Sequence, residues 1–312
     1  MSHPSGSAPQ LDPQIPYFSE ASVRRVLRYE DLIPAMERAL TDYSTGKVLQ
    51  PVRNILPVEQ YHGFLGIMPA VYGDIMGAKL VTLFPGNAST ELPTHQGIIV
   101  LMRATNGEPI AVLDGRLITE MRTAAVTAAA TKLLADPSAH ALAILGSGVQ
   151  ARAHARALRV VRHFDDIRVW SRTPSHAQAL AAELTATATS AEDAVRGADV
   201  VVTVTNISQP VLHGAWLKPG ALVNAVGAVG PANRELDDDA MRGSAVVVDS
   251  RAAALVESGD ILLSGATIYA ELGEVLAGNK PKPSSGNTVF KSLGLGVEDL
   301  ATAQLVIELI GS

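Results

Sequence analysis

The chain has 312 residues, 47% of them apolar, with a formal net charge of -6 and no cysteine. That much apolar material fills one large domain or two ordinary ones, and the missing cysteines exclude disulfides, thiolate metal sites and a cysteine nucleophile, favouring a reducing, cytoplasmic setting. An acidic balance without a basic block excludes the usual nucleic-acid footprint and leaves a small molecule as the expected partner.

The first sixteen residues, MSHPSGSAPQLDPQIP, are rich in Pro and Ser, lack the apolar centre of a signal peptide and read as a loose tail. No window reaches the roughly 18 uninterrupted apolar residues of a membrane span. From Tyr17 to Gly46 the pattern gives a short helix and a longer one, with Leu32, Ile33, Met36 and Leu40 at helical spacing, Pro34 in the first turn and Gly46 as the stop. Between Pro51 and Gly115 the period becomes two, in runs such as VRNILPV, FLGIMPAVY, AKLVTLF and GIIVLMRA, with TNGEP (105 to 109) as a hairpin turn. This block is expected to be mostly antiparallel sheet.

Helical spacing resumes after Thr119 through MRTAAVTAAATKLLA and stops before Pro137. Strand-like runs at ALAIL, IRVW, DVVVTVT, ALVNAVG and AVVVD then alternate with helical stretches, the pattern of a parallel sheet covered on both faces. The last segment, VEDLATAQLVIELI, reads as an amphipathic helix that either returns to the first block or covers this sheet. The fold class is therefore α/β: a doubly wound Rossmann sheet plus a second α+β domain with a mainly antiparallel sheet.

Between the first strand and helix of the alternating series, ILGSGVQA carries Gly146, Gly148 and Ala151 in the G-x-G-x-x-G/A pattern. The first glycine permits the tight turn, the second lets a pyrophosphate approach the backbone, and the alanine lets helix pack on strand. Free N–H groups at the helix start then meet the phosphates. Without the surrounding strands the same pattern is an ordinary turn. At the end of the second strand an NAD enzyme usually presents a carboxylate to the ribose; here IRVW runs into Ser171, Arg172 and Thr173, while Asp165 and Asp166 lie at the strand's other end. Guanidinium and hydroxyl donors suit a 2′-phosphate, so NADPH is expected, with NADH weaker.

Three cations draw attention on physical grounds. Arg53 starts an apolar strand, where a solvated rim position is the ordinary reading. Lys79 sits inside GAKLVTLF, where burial is costly and lowers an ammonium's pKa toward neutrality, suiting it to proton transfer. Arg122 opens the alanine-rich helix, where the dipole disfavours a cation unless an anion such as a phosphate or substrate carboxylate compensates. The eight histidines show no metal-ligand spacing, so no metal is expected. His154 reads as a helix-face residue, and Asp237, Asp238 and Asp239 as a solvated helix start.

The motifs taken together resemble the ornithine cyclodeaminase and mu-crystallin family across nearly the whole chain from Tyr17. The strings are QPVR, GIMPA, AKLVTLF, THQG, AVLDGRLITEMRTAAVTA, ILGSGVQA, ALVNAVGA, VDSRAAALVESGDILL and TVFKSLGLGVED, and RELDDD and ELGEV read like the mu-crystallin branch. The resemblance implies a homodimer in which residues 1–120 with 290–312 form a substrate-binding and dimerisation domain, and residues 121–289 the dinucleotide domain. It implies that Arg53 and Arg122 hold a substrate carboxylate, that Lys79 works at the reacting carbon–nitrogen centre, and that Thr94, His95, Arg122 and Thr123 approach the cofactor. Ser147, Val149 and Gln150 in the glycine turn, with Thr205, Val226 and Gly227 after later strands, complete the expected cofactor-binding set.

The activity implied is NADPH-dependent reduction of a small cyclic ketimine carboxylate, pyrroline-2-carboxylate or piperideine-2-carboxylate, to proline or pipecolate. Rival readings within the family are ornithine cyclodeaminase, an open-chain amino-acid dehydrogenase, and a protein that binds NADPH and a hormone-type ligand without turnover. In cyclodeaminases of the family the stretch aligned with NAVGAVGPANREL resembles GGD followed two residues later by Pro, with the Asp as base. Aligning Pro231 and Glu235 puts Val229 there. Valine handles neither proton nor water, and an apolar wall excluding water suits imine reduction.

Overall fold

Ser19 ends an extended entry by accepting a hydrogen bond from Ser22 N, which starts the first helix. The computed structural model describes residues 14–311, so most of the expected N-terminal tail lies outside the described residues. The first block runs β1 (Tyr17–Phe18), α1 (Glu20–Val26), α2 (Tyr29–Ser44), β2 (Val48–Leu49), β3 (Asn54–Val58), β4 (Gly63–Tyr72), β5 (Ile75–Leu83), β6 (His95–Arg103) and β7 (Pro109–Asp114). Helix α2 begins at Tyr29, so Pro34 lies inside the helix rather than in its first turn as expected. Its ring leaves the Glu30 carbonyl without an intrahelical donor.

The strands form one sheet in the order β1-β7-β6-β5-β4-β2, with β3 also on β4. Only the β1–β7 pair is parallel. The expected turn joins β6 to β7, with Arg103 N donating to Glu108 O at 2.8 Å. One face is apolar and buried, through Met68, Ala70, Ile75, Ile99 and Leu101. The period of two places Lys79 on that same face.

Helix α3 (Gly115–Leu134) starts at the Asp114 cap, whose Oδ1 accepts from Arg116 N at 3.0 Å. It therefore begins before Thr119, and Arg122 stands two turns inside rather than at the opening. The dipole argument for an external anion at Arg122 fails accordingly, because the effect is confined to the first turn.

The second block runs β8 (Ala141–Leu145), α4 (Val149–Val161), β9 (Asp166–Trp170), α5 (Pro174–Leu184), β10 (Thr187–Ala188), α6 (Ala191–Val195), β11 (Val200–Thr203), β12 (Leu222–Ala225), α7 (Asp238–Arg242), β13 (Ser244–Val248), α8 (Arg251–Glu257), α9 (Gly259–Ser264), β14 (Ile268–Glu271), α10 (Leu272–Leu276), β15 (Asn287–Lys291) and α11 (Gly296–Gly311). Its eight strands are ordered β10-β9-β8-β11-β12-β15-β13-β14, and every pair is parallel. The five expected strands are all present. The other three, β10, β14 and β15, are short or flanked by Pro, Ser and Gly, which masked them.

Helix α11 returns to the first sheet and packs on β4, β5 and β6. It is not simply amphipathic. Residues 296–303 are buried all round, and exposed positions come only in its second half. Helix α3 packs on both blocks. It packs on α4, and both helices carry buried alanines, Ala124, Ala125 and Ala128 on α3 and Ala151 and Ala155 on α4, small side chains that let two helices approach closely. Thr127 Oγ1 and His154 Nε2 lie 3.0 Å apart, and Asn224 Nδ2 donates to Thr131 Oγ1 at 3.1 Å. His154 is thus a buried linker, its imidazole pushed down by burial to about 4. No helix among the described residues is long and apolar enough to cross a membrane.

Candidate active site

All eight strands of the second sheet point the same way, so the segments after them share one edge, where open α/β sheets bind ligands. Gly146 follows β8 with φ +132°, a conformation closed to other residues, and a Cβ there would lie 2.7 Å from the Val204 carbonyl oxygen. Gly148 caps α4, and beyond its chain neighbours nothing comes within 4 Å of where its Cβ would be. That open ground in front of free helix N–H groups fits a pyrophosphate. Ala151 is fully buried behind it. Val149 is exposed, and Gln150 carries a buried Oε1 without a hydrogen-bond partner.

Ser171, Arg172 and Thr173 leave β9 at the same edge. Ser171 Oγ is 2.8 Å from Ser147 Oγ, Arg172 is exposed, and Thr173 caps α5. The arrangement suits a dinucleotide: phosphates over the glycines, and a cation with hydroxyls beside the ribose.

Thr205, Val226 and Gly227 follow β11 and β12, and a residue without an expected role binds them together. The Glu235 carboxylate accepts hydrogen bonds from Thr203 Oγ1 (2.9 Å), Thr205 N (2.7 Å), Thr205 Oγ1 (2.6 Å), Gly227 N (2.7 Å) and Ala228 N (3.1 Å). Asp260 accepts in turn from Glu235 N and Leu236 N and pairs with Lys291, whose Nζ donates to Ala228 O at 2.6 Å. The side chains of Glu235, Asp260 and Lys291 are all fully buried. This latticework fixes two of the loops that border the cofactor edge.

The cations expected to meet the substrate form a second cluster. Lys79 Nζ lies 2.7 Å from Asp299 Oδ2 and 3.4 Å from Thr119 Oγ1. Arg122 donates to Asp299 Oδ1 at 3.1 Å and to Glu298 Oε2 at 2.8 Å. Lys79 is 1% exposed, Arg122 5%, and both acids are sealed. The anions that compensate Arg122 therefore belong to the chain itself, from the first turn of α11. Burial pushes the Lys79 ammonium down to about 8, repulsion by Arg122 adds to this, and Asp299 opposes it. Burial pushes the Glu298 carboxyl up to about 7; Arg122 and the Leu295 amide pull it down, while the Asp249 and Asp299 charges push with burial.

Arg53 meets the same cluster from the other side of one loop. Its Nη2 donates to Leu293 O at 2.6 Å and Gly294 O at 2.8 Å, and Nε pairs with Glu257 at 3.0 Å. Asp249 holds that loop's amides, accepting from Leu293 N at 2.5 Å and Gly294 N at 2.7 Å. Gly294 has φ +80°, and a Cβ there would stand 2.3 Å from Arg122 Nη1. The loop leaves β15 at the cofactor edge, so it joins the cations to the dinucleotide side. Arg53 is thus more than a solvated rim residue.

Of the remaining expected residues, Thr123 is buried and donates to Thr119 O at 2.7 Å, on the helix face beside Arg122. Thr94 Oγ1 lies 3.4 Å from His95 Nδ1. Partial desolvation and the charge of Lys79 push His95 below the usual histidine range, although the residue keeps a solvent-exposed side. Val229 is 41% exposed in the β12–α7 loop, so in the single chain it is open to solvent and not a buried apolar wall. Asp237 caps α7 through Ala240 N at 2.8 Å and also holds Gly214 N at 3.0 Å.

Glu298 and Asp299 were not singled out in the sequence. Their place at the head of an otherwise apolar helix was the signal that they are buried.

Comparison with known proteins places the chain among relatives of known activity. The chain is 48% identical over 301 residues to the ketimine reductase mu-crystallin of Mus musculus, covering 94% of this chain and 96% of that one. It superposes on the structure of the Thermococcus litoralis Delta(1)-pyrroline-2-carboxylate reductase in complex with NADH and L-proline with a TM-score of 0.91 at 34% identity, covering 95% and 97% of the two chains. An archaeal alanine dehydrogenase dimer with bound NAD matches with a TM-score of 0.90 at 30% identity, covering 95% of each chain. The model of the ornithine cyclodeaminase/mu-crystallin family matches residues 17–312. The chain belongs to the ornithine cyclodeaminase/mu-crystallin family.

Proposed function

We propose that this protein is an NADPH-preferring reductase of small cyclic ketimine carboxylates, converting pyrroline-2-carboxylate or piperideine-2-carboxylate to proline or pipecolate. The observation that carries it is the sealed cluster in which Asp299 bridges Lys79 and Arg122, with Arg53 across the Ser292–Gly294 loop. Arg53 and Arg122 anchor the carboxylate. Lys79, with its pKa near 8, stays protonated at neutral pH yet readily donates a hydrogen bond or a proton to the ring nitrogen. NADPH supplies the hydride when bound. The glycine turn, Thr205, Val226 and Gly227 hold it, and Ser171, Arg172 and Thr173 favour the 2′-phosphate.

Two sides of the reading concern assembly. The antiparallel sheet and α11 form the substrate unit, and the parallel sheet forms the dinucleotide unit. The first sheet exposes Ile55 (43%), Leu56 (47%) and Ile98 (40%), apolar surface that supports a homodimer through this unit. The cysteine-free sequence supports a cytoplasmic setting.

Following NADPH absorbance with a panel of cyclic ketimine carboxylates tests the activity. Steady consumption is expected; a protein that bound these compounds without oxidising NADPH would be a ligand-binding protein instead. Light scattering of the eluted protein tests the dimer.

A further inference from the structure

Four carboxyls crowd three cations around the Ser292–Gly294 loop. Glu298, Asp299, Asp249 and Glu257 face Lys79, Arg122 and Arg53, as the contacts and mutual charge effects among them show. They come from every element packed here: α11, β5, α3, the β13–α8 turn, α8 and the residue before β3. With every group ionised, acids already outnumber bases before a substrate carboxylate arrives. Another anion in a sealed site then adds repulsion that nothing offsets.

The four acids differ in how well they are satisfied. Asp249 accepts from Ser250 N, Leu293 N and Gly294 N, and Asp299 touches both Lys79 and Arg122. Glu257 pairs with Arg53 at the pocket's edge. Glu298 has one oxygen on Arg122, while its Oε1 is buried with no hydrogen-bond partner. A bare carboxylate oxygen among like charges is the natural place for a proton.

We propose that Glu298 takes up a proton from solvent when the substrate's carboxylate binds, so that the neutral acid matches the site's charge to a ring bearing a single carboxylate. This rests on the reading of Arg53 and Arg122 as the carboxylate anchor. Glu298 is a specificity-determining residue in this scheme: it sets how many negative charges the pocket accepts and at what pH. Its carboxyl, pushed up to about 7, is poised to respond in the neutral range.

Titration calorimetry tests it on the full chain loaded with NADPH, using pyrrole-2-carboxylate, a planar carboxylate with no basic nitrogen that accepts no hydride. Binding heats in buffers of different ionisation enthalpy count the protons taken up. Wild type is expected to take up about half a proton at pH 7 and close to one at pH 8. Glu298→Gln, nearly isosteric, is expected to take up none at pH 7 and to show a ketimine KM that is flat between pH 6 and 8, where the wild-type KM rises. Binding without proton uptake in wild type overturns the inference, and this measurement needs no variant. Undiminished uptake in Glu298→Gln overturns it too, assigning the proton to Lys79 or another group. Absence of binding to wild type overturns the carboxylate reading of the site and the inference with it.

Discussion

Lys79 Nζ stands 2.7 Å from one oxygen of Asp299, and Arg122 Nε stands 3.1 Å from the other. A single carboxylate therefore orients both cations, one from a strand and one from a helix. Asp299→Asn keeps the shape and removes the charge, leaving two buried cations poorly compensated. Breaking such a pair typically costs about 3–5 kcal/mol. We expect a lower melting temperature together with a kcat reduced by at least tenfold, measured by thermal unfolding and steady-state kinetics; a variant with unchanged kcat would remove Asp299 from the positioning of Lys79.

Lys79 and Arg53, proposed to act on the ring nitrogen and on the carboxylate respectively, should give different phenotypes. Lys79→Ala is expected to lower kcat chiefly if the ammonium acts at the reacting nitrogen as proposed, whereas Arg53→Ala is expected to raise KM steeply if it removes the proposed carboxylate anchor. The wild-type kcat/KM should fall about tenfold per pH unit well above pH 8, since Lys79 of the free protein loses its proton as pH rises through about 8. Lys79→Ala should lack that limb. A pH profile in Lys79→Ala identical to that of wild type would exclude lysine from proton donation.

Arg172 is exposed at the end of β9 beside the Ser147–Ser171 hydrogen bond. Loss of a charge-assisted contact costs about 1.5–3 kcal/mol, roughly 10- to 150-fold in affinity. Arg172→Ala should weaken NADPH by such a factor and leave NADH nearly unchanged. Fluorescence titration with both cofactors decides it, and equal losses would argue against a 2′-phosphate contact.

Much of this architecture was readable in the chain. The change from period two to alternating strands and helices separated the two sheets, and the glycine pair placed the cofactor edge. Lys79 was legible as a buried ammonium because apolar neighbours flank it on both sides. Its partner Asp299 was not, because it lies more than two hundred residues away and the apolar run that follows it reads as one face of an amphipathic helix rather than as a helix start buried all round. The Glu235, Asp260 and Lys291 latticework was missed for a similar reason: apart from the short reach from Glu235 to Gly227 and Ala228, its bonds join residues distant in sequence. Pro34 and the start of α3 were misplaced by a turn, as helix boundaries depend on caps such as Asp114 whose effect is visible only in three dimensions.

The cyclodeaminase alternative is tested by ammonia. Position 229 offers a valine with no proton-handling group, and the carboxylate nearest in sequence, Glu235, is spent on five hydrogen bonds to the β11 and β12 loops. No NAD-dependent ammonia release from ornithine is expected, while cyclic ketimine reduction proceeds. Ammonia release at a comparable rate would falsify this assignment.

Helix α3 is built into the packing of both sheets and carries Arg122 and Thr123 between them. It works as a shared beam: parting the two halves like a clamshell would open the alanine seam with α4 and break the Thr127–His154 and Asn224–Thr131 bonds together. Ligand traffic is therefore expected to run through the loops at the rim while the beam stays still, and amide hydrogen exchange should find α3 among the slowest segments of the chain. Fast exchange along α3 would instead indicate that the halves separate.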